Sequence, residues 1–419
     1  MKSHPLGMTT KYELFEKGHL IDSIEKSRQP KAEIQLTINN PGQPKQVLRF
    51  PFRSYTSNFC RVLNNAFLAV DDSTSGMAID KVIKAVTGGI TYPAAAIHTM
   101  AVNEGALTGA AQTAYGIWIG DPDNQSALGL TSESAIGGVT QYNNYMLRAL
   151  LPAAGGTPET NLNYLATTVA FSNSDNTLTV SRRFQNTSST VDIKIGEIGL
   201  VGKSGTDYFL IARDIIQIPG IRTKEDYTPY TLAALGTAQV DYIFTNDITT
   251  GWMQNYFKML SSLFVASNAL SQVRDLTNVA QTIDFSSART QKDLLAGSTV
   301  DTFGIIPSSL TPNMNTYTTP SWKLTQQIPY SATGLGYSAV VPIVLTQSNN
   351  ITQFGLYRDF EYLATSGYQN VGSSGLIIRQ GTSPYTYYLI AVDSAGDNPF
   401  TIKPNQILRI TYLFQAPLS

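Results

Sequence analysis

The heptapeptide Tyr208-Phe209-Leu210-Ile211-Ala212-Arg213-Asp214 returns as Tyr387-Tyr388-Leu389-Ile390-Ala391-Val392-Asp393, with five of seven columns identical. Further matches fall in the same order along both halves. Residues 58–69 (NFCRVLNNAFLA) pair with 255–266 (NYFKMLSSLFVA), and Tyr115-Gly116-Ile117 with Phe303-Gly304-Ile305. Gly199-Leu200 is matched to Gly355-Leu356, and Tyr242-Ile243-Phe244 to Tyr412-Leu413-Phe414. A repeat this long means two whole domains rather than a solenoid of short units. The reading is therefore an N-terminal arm over 1–33, a first β-rich repeat domain over 34–246 and a second over 247–419. On this alignment the second repeat carries an insertion at 357–386, with Tyr357, Phe360, Tyr362 and Tyr368 among Gly and Ser.

Local patterning makes the class mainly β (α+β): two tandem antiparallel β-sandwich-like domains, each with one packed amphipathic helix. Residues 33–38 and 46–52 read as a hairpin turning across Asn39-Asn40-Pro41-Gly42. Phe59, Val62, Leu63, Ala66, Phe67 and Val70 lie on one helical face, and Tyr256, Met259, Leu260, Leu263 and Phe264 repeat it. Residues 114–120 (AYGIWIG) read as a buried strand closed by Asp121-Pro122. Leu178, Val180, Arg182 and Phe184 alternate with polar neighbours, as do Val191, Ile193 and Ile195, which is the pattern of strands covered on one face. The alternation slips at Gly196, where a β-bulge is expected. Strands are also expected over 208–214, 240–244, 339–345, 351–357, 385–392 and 407–414. Residues 77–111 and 129–156 give no clear period.

Residues 1–30 concentrate Lys11, Glu13, Glu16, Lys17, Asp22, Glu25, Lys26 and Arg28 outside the repeat. They read as a short helix or extended arm, either a tail or a contact with a neighbouring subunit. Over the whole chain charge is scarce: 14% of residues are charged, against roughly 25% in an average soluble protein. The net charge of −1 leaves no basic excess to neutralise phosphates, so nucleic acid is not expected as the main ligand. No run of 18 apolar residues or signal-peptide core occurs, so synthesis in the cytoplasm without membrane insertion is expected.

No catalytic constellation emerges. Cys60 is the only cysteine and sits in an apolar helical pattern, as a buried small side chain would. His4, His19 and His98 are too few and scattered for a metal centre or a Ser/His/Asp arrangement. Asp121, Asp123 and Asn124 begin like a calcium loop but lack its later Gly and Glu. Asp71-Asp72 and Asp359-Phe360-Glu361 are the carboxylate stretches that glycoside hydrolysis would need in opposition. Asp214 and Asp393 end matching strands, where capping of nearby N–H groups suits them better than catalysis. The expectation is no enzyme, no cofactor, no metal, and no catalytic residue; a binding residue is not defined.

The succession SNFCRVLNNAFLAV, AYGIWIG, LTVSRRFQNTSS, EIGLVG and YFLIARD resembles a group of structural proteins of tailed bacteriophages whose place in the particle is unassigned. The resemblance covers residues 34–246 best. The second repeat keeps FGIIP, QFGLY, YYLIAVD and the final strand, and departs from the group at the Ser-Arg-x-Phe step. It implies membership of the virion, as a structural subunit of neck, tail or baseplate, contacting other virion proteins as a homo-oligomer. The alternatives are a receptor- or carbohydrate-binding tail fibre or spike component with a host glycan as partner, or a capsid-decorating protein.

Overall fold

The computed structural model describes residues 7–28, 31–52, 82–83, 90–91, 101–106, 115–120, 162–204, 207–216, 229–245, 253–265, 272–282, 304–311, 323–348, 351–380 and 385–417. The chain is mainly β, with 62% strand and one helix among those residues, arranged in several antiparallel sheets. The helix expected at 58–69 and the segment 129–156 lie outside the described residues, as does most of 77–111.

The first large sheet has the order Gln46–Pro51, Lys31–Asn39, Thr237–Thr245, Thr177–Asn186, Leu162–Tyr164, with Thr168–Ser172 also paired to Thr177–Asn186. Its period-2 alternation turns Ile34, Leu36, Ile38, Leu178, Val180, Phe184, Val240, Tyr242 and Phe244 into the core. The second large sheet repeats that order with His19–Arg28, Gly7–Glu16, Gln406–Pro417, Ile351–Tyr362 and Leu335–Tyr337, and Val341–Ser348 again pairs as the extra strand. Register agrees as well as order. In the first sheet Arg182 faces Val240, which faces Leu36; in the second Arg358 faces Ile410, which faces Tyr12.

Each large sheet is accompanied by a three-stranded one: Gly116–Gly120, Glu197–Ser204 and Asp207–Ile215 in one case, Gly304–Ser308, Ser373–Gln380 and Thr386–Ser394 in the other. Their irregularities coincide. The ladder shifts at Leu200/Val201 and at Leu376/Ile377, and both outer strands open on a glycine of positive φ, Gly116 at 87° and Gly304 at 79°. A side chain at Gly116 would also collide with Thr167 Oγ1 and the Val102 carbonyl, so glycine is required there. Two-stranded ribbons complete the parallel: Ile193–Ile195 with Tyr230–Leu232, and Gln369–Val371 with Phe400–Ile402.

Three expectations change. Residues 7–28, set apart in the sequence as an arm, are a hairpin that completes the second large sheet, pairing from Gly7↔Gln415 to Glu16↔Gln406. Met8, Tyr12 and Leu14 are buried there, at roughly 1.5–3 kcal/mol each. That sum is comparable with the whole stability of a domain, about 5–15 kcal/mol. Second, the bulge lies at Leu200/Val201, while Gly196 marks the passage from ribbon to sheet, its N–H bonding to Gly120 O at 2.9 Å. Third, the topological counterpart of Gly199-Leu200 is Gly375-Leu376 rather than Gly355-Leu356. Residues 357–380 are therefore the end of one strand, a ribbon strand and a sheet strand rather than an inserted excursion.

The helix Gln254–Val265 also differs from a one-sided amphipathic element, because every residue from Asn255 to Phe264 is buried. One side meets the first large sheet, where the Phe264 and Phe244 rings lie 6.3 Å apart and Lys258 Nζ sits 5.9 Å from the Phe171 ring. On the other, the Asn255 amide donates to Leu389 O at 3.1 Å and Arg274 O at 2.8 Å, and Met253 N–H to Ile390 O. Ser261 and Ser262 return their hydroxyls to Lys258 O, which satisfies polar groups that have no water to meet.

Candidate functional site

Among the described residues, polar groups gather where a large-sheet arginine reaches carbonyls of a three-stranded sheet and its approach. Arg182 is buried, and its Nε donates to Leu165 O at 2.7 Å while Nη1 donates to Tyr115 O at 2.8 Å and Ile117 O at 3.2 Å. Its Nη2 reaches Gly105 O at 3.3 Å, and the guanidinium lies 4.8 Å from the Tyr164 ring. Burial lowers the arginine from its ordinary range to about 10. Nearby Glu104, raised by burial, accepts the Tyr115 N–H at 2.8 Å. Arg358 repeats the arrangement, with Nε on Ser338 O at 2.9 Å, Nη1 on Ile305 O at 3.2 Å and the Tyr337 ring 5.0 Å away. The planar fork of arginine satisfies several strand-end carbonyls at once, as a lysine would not. Each guanidinium therefore stitches sheets together. The Arg358-Asp359-Phe360 step answers Arg182-Arg183-Phe184, with Tyr357 in the place of Ser181, so the second half shares Arg-x-Phe but not the full Ser-Arg-x-Phe step.

A second cluster joins the N-terminal hairpin to the C-terminal half. Ser374 Oγ lies 2.8 Å from Tyr12 Oη and 2.9 Å from Tyr412 Oη. The Tyr12 hydroxyl also donates to Asp393 O at 2.9 Å, and that of Tyr412 to Ser374 O at 3.0 Å. Arg28 Nη2 meets Asp393 Oδ1 at 2.7 Å, and the same oxygen accepts Ser394 N–H at 2.8 Å. Asp393 thus performs the expected capping of a neighbouring N–H and adds an ion pair to residue 28 that its sequence position did not announce. Tyr12, Ser374, Asp393 and Tyr412 are completely buried, and among the described residues the cluster holds no imidazole. Burial pushes the hydroxyls of Tyr12 and Tyr412 well above the usual tyrosine range. In the first half Asp214 is likewise buried, and Tyr242 is raised by burial and then by Asp214 and Glu197.

The candidate acids at 359 and 361 do not oppose one another. They are two residues apart on one strand and so share a face of the sheet. Asp359 is gripped by Arg409 through paired bonds of 2.8 and 2.9 Å, and that guanidinium lies 4.2 Å from the Tyr357 ring. Its bond to Asp359 raises Arg409 above the usual range. Phe360 is buried, Tyr362 is half-buried and Tyr368 is 63% exposed. His19 is exposed on the hairpin. His4, Cys60, Asp71, Asp72, His98, Asp121, Asp123 and Asn124 lie outside the described residues. Among the described residues no group of three or more His, Cys, Asp or Glu could hold a metal ion, and no helix is long and apolar enough to cross a membrane. No protein-family model, curated protein or solved structure matches the chain.

Two outcomes follow from these clusters. Arg28→Met strands the buried Asp393 carboxylate and costs about 3–5 kcal/mol by denaturant titration. The double variant Arg28→Met/Asp393→Asn recovers much of that loss, whereas additive costs would show that the pair is uncoupled. The second concerns alkali. A buried tyrosine that ionises less readily folded than unfolded contributes stability that is complete below the unfolded value, about 10. That stability is lost as pH rises toward the folded value, about 12 for Tyr388. Circular dichroism and tyrosinate absorbance should therefore show cooperative unfolding between about pH 10 and 12, and ionisation of all tyrosines with the fold intact would contradict the burial.

Proposed function

We propose that this chain is a non-enzymatic structural subunit of a tailed-phage virion, in the neck, tail or baseplate, assembling through protein–protein contacts as a homo-oligomer. In this reading its two β units, each a large sheet laid against a small one as a sandwich, descend from one unit by tandem duplication. The observation that carries the reading is the agreement between the two sheets in strand order, register and buried arginine. Two similar surfaces on one polypeptide let a ring of n chains present about 2n related units, which helps join components of different symmetry. The polar groups described above are spent on holding sheets together, as suits a building block. A surface poor in charge and rich in Tyr, Thr, Asn and Gln also suits extensive packing between subunits.

The second reading, a virion protein that binds a host glycan, is favoured by the exposed rings of Tyr330 and Tyr368 on connections between strands. Native mass measurement and proteomics of purified particles separate the two. The structural reading expects a defined homo-oligomer inside the particle, touching other virion proteins through both units. A stable monomer absent from particles would refute it, and a projecting trimer that retains host glycan would favour the second. Release of oligosaccharide from host polysaccharide, abolished by Asp359→Asn or Glu361→Gln, would overturn the assignment as a non-enzyme.

A further inference from the structure

The second large sheet takes its last two strands from the opposite end of the chain, while the first takes the same two from residues 31–51, which precede its other strands. The surface that receives the N-terminal hairpin is thus drawn entirely from residues outside 7–28: the edge of Gln406–Pro417, the Ser374 and Tyr412 hydroxyls, and the Asp393 carboxylate. The hairpin is a self-contained unit. Its own ladder runs from Met8↔Arg28 to Glu16↔His19, so it can leave that surface without breaking its internal pairing. Two residues of sequence, Gln29 and Pro30, separate Arg28 in the second large sheet from Lys31 in the first. That short link is the hinge about which the hairpin would be exchanged.

From this topology we propose that the N-terminal hairpin is exchanged between copies, residues 7–28 of one chain completing the second large sheet of its neighbour. The occupant of the acceptor edge is then the same segment with the same contacts, and only the hinge differs, which is the condition that makes swapping inexpensive. Within one chain the hairpin competes at an effective concentration of the order of millimolar, so exchange is the business of crowded assembly rather than dilute solution. Head-to-tail donation, each chain giving a hairpin and receiving one, builds a ring or filament with an interface already visible inside the monomer. The inference rests on the assembly reading only for the premise that copies meet.

The test uses full-length chains carrying Cys60→Ala, so that only introduced thiols react. Lys11 and Thr411 face each other across the ladder, at a spacing that a disulfide spans. Chains with Lys11→Cys alone and Thr411→Cys alone are refolded together at about millimolar concentration, where copies compete with the tethered hairpin, then oxidised and run on non-reducing gels. Exchange predicts a covalent heterodimer whose yield rises with concentration, while the double variant Lys11→Cys/Thr411→Cys also closes on itself in dilute solution. Self-closure of the double variant with no heterodimer at any concentration would overturn the proposal, and failure of both would overturn the ladder. The facing pair Phe15→Cys and Ile407→Cys, nearer the surface, serves if Thr411→Cys does not fold. Oligomers on a sizing column without heterodimer would sink hairpin exchange and leave the assembly reading standing.

Discussion

Ten antiparallel pairs between Gly7–Glu16 and Gln406–Pro417 bring the two ends of the chain together, and the second half of the molecule is finished only when they form. The entropic cost of such a distant pairing is smaller than it looks. Doubling the length of a closed loop adds only about 0.6 kcal/mol, whereas a single buried Leu or Met contributes roughly 1.5–3 kcal/mol. Met8, Tyr12 and Leu14 therefore outweigh the distance. What the distance does impose is order: the C-terminal strand must be made before its N-terminal partner can dock, which is the slow, non-local kind of assembly.

Burial of polar groups fixes how these sheets fit. A strand slipped by one residue turns every side chain to the other face, and here that would carry Arg182 or Arg358 away from the carbonyls that satisfy it. The cost of a buried guanidinium without partners makes that slip far worse than the exchange of one apolar side chain for another. The arginines and the Tyr12–Ser374–Tyr412 hydroxyls consequently choose a register more than they add net stability. Of the carboxylates that stand out in the sequence, Asp214 and Asp393 are sealed from solvent with them.

Much of the fold was legible because half-buried strands announce themselves. Ile34, Leu36 and Ile38, and Leu178, Val180 and Phe184, alternate cleanly and form strands where that alternation lies. The N-terminal hairpin was hidden for a physical reason: His19–Arg28 is an edge strand, largely exposed on both faces, so composition rather than period dominates it. Tyr12 and Leu14, alternating with Lys11 and Glu13, carried the signal that its charges obscured. Gly355-Leu356 repeats the Gly199-Leu200 dipeptide by coincidence, whereas Arg358-x-Phe360, two residues later, carries the register of Arg182-x-Phe184. The helix at Gln254–Val265 was visible as a helix, but its burial on every side depends on strands from both halves closing over it, which no local window contains. Of the polar clusters, the capping by Asp393 followed from its place at a strand end, whereas its pairing with Arg28 required the chain ends to meet.

Hydrogen exchange on a chain lacking residues 1–28 measures whether the hairpin completes the second sheet. The amides of Gln406–Pro417 directed at Gly7–Glu16 should lose their protection, while those of Ile351–Tyr362, and of Thr237–Thr245 and Thr177–Asn186 in the first large sheet, keep theirs. Protection of Gln406–Pro417 equal to that in the full-length chain would show that the N-terminal segment is an appendage after all.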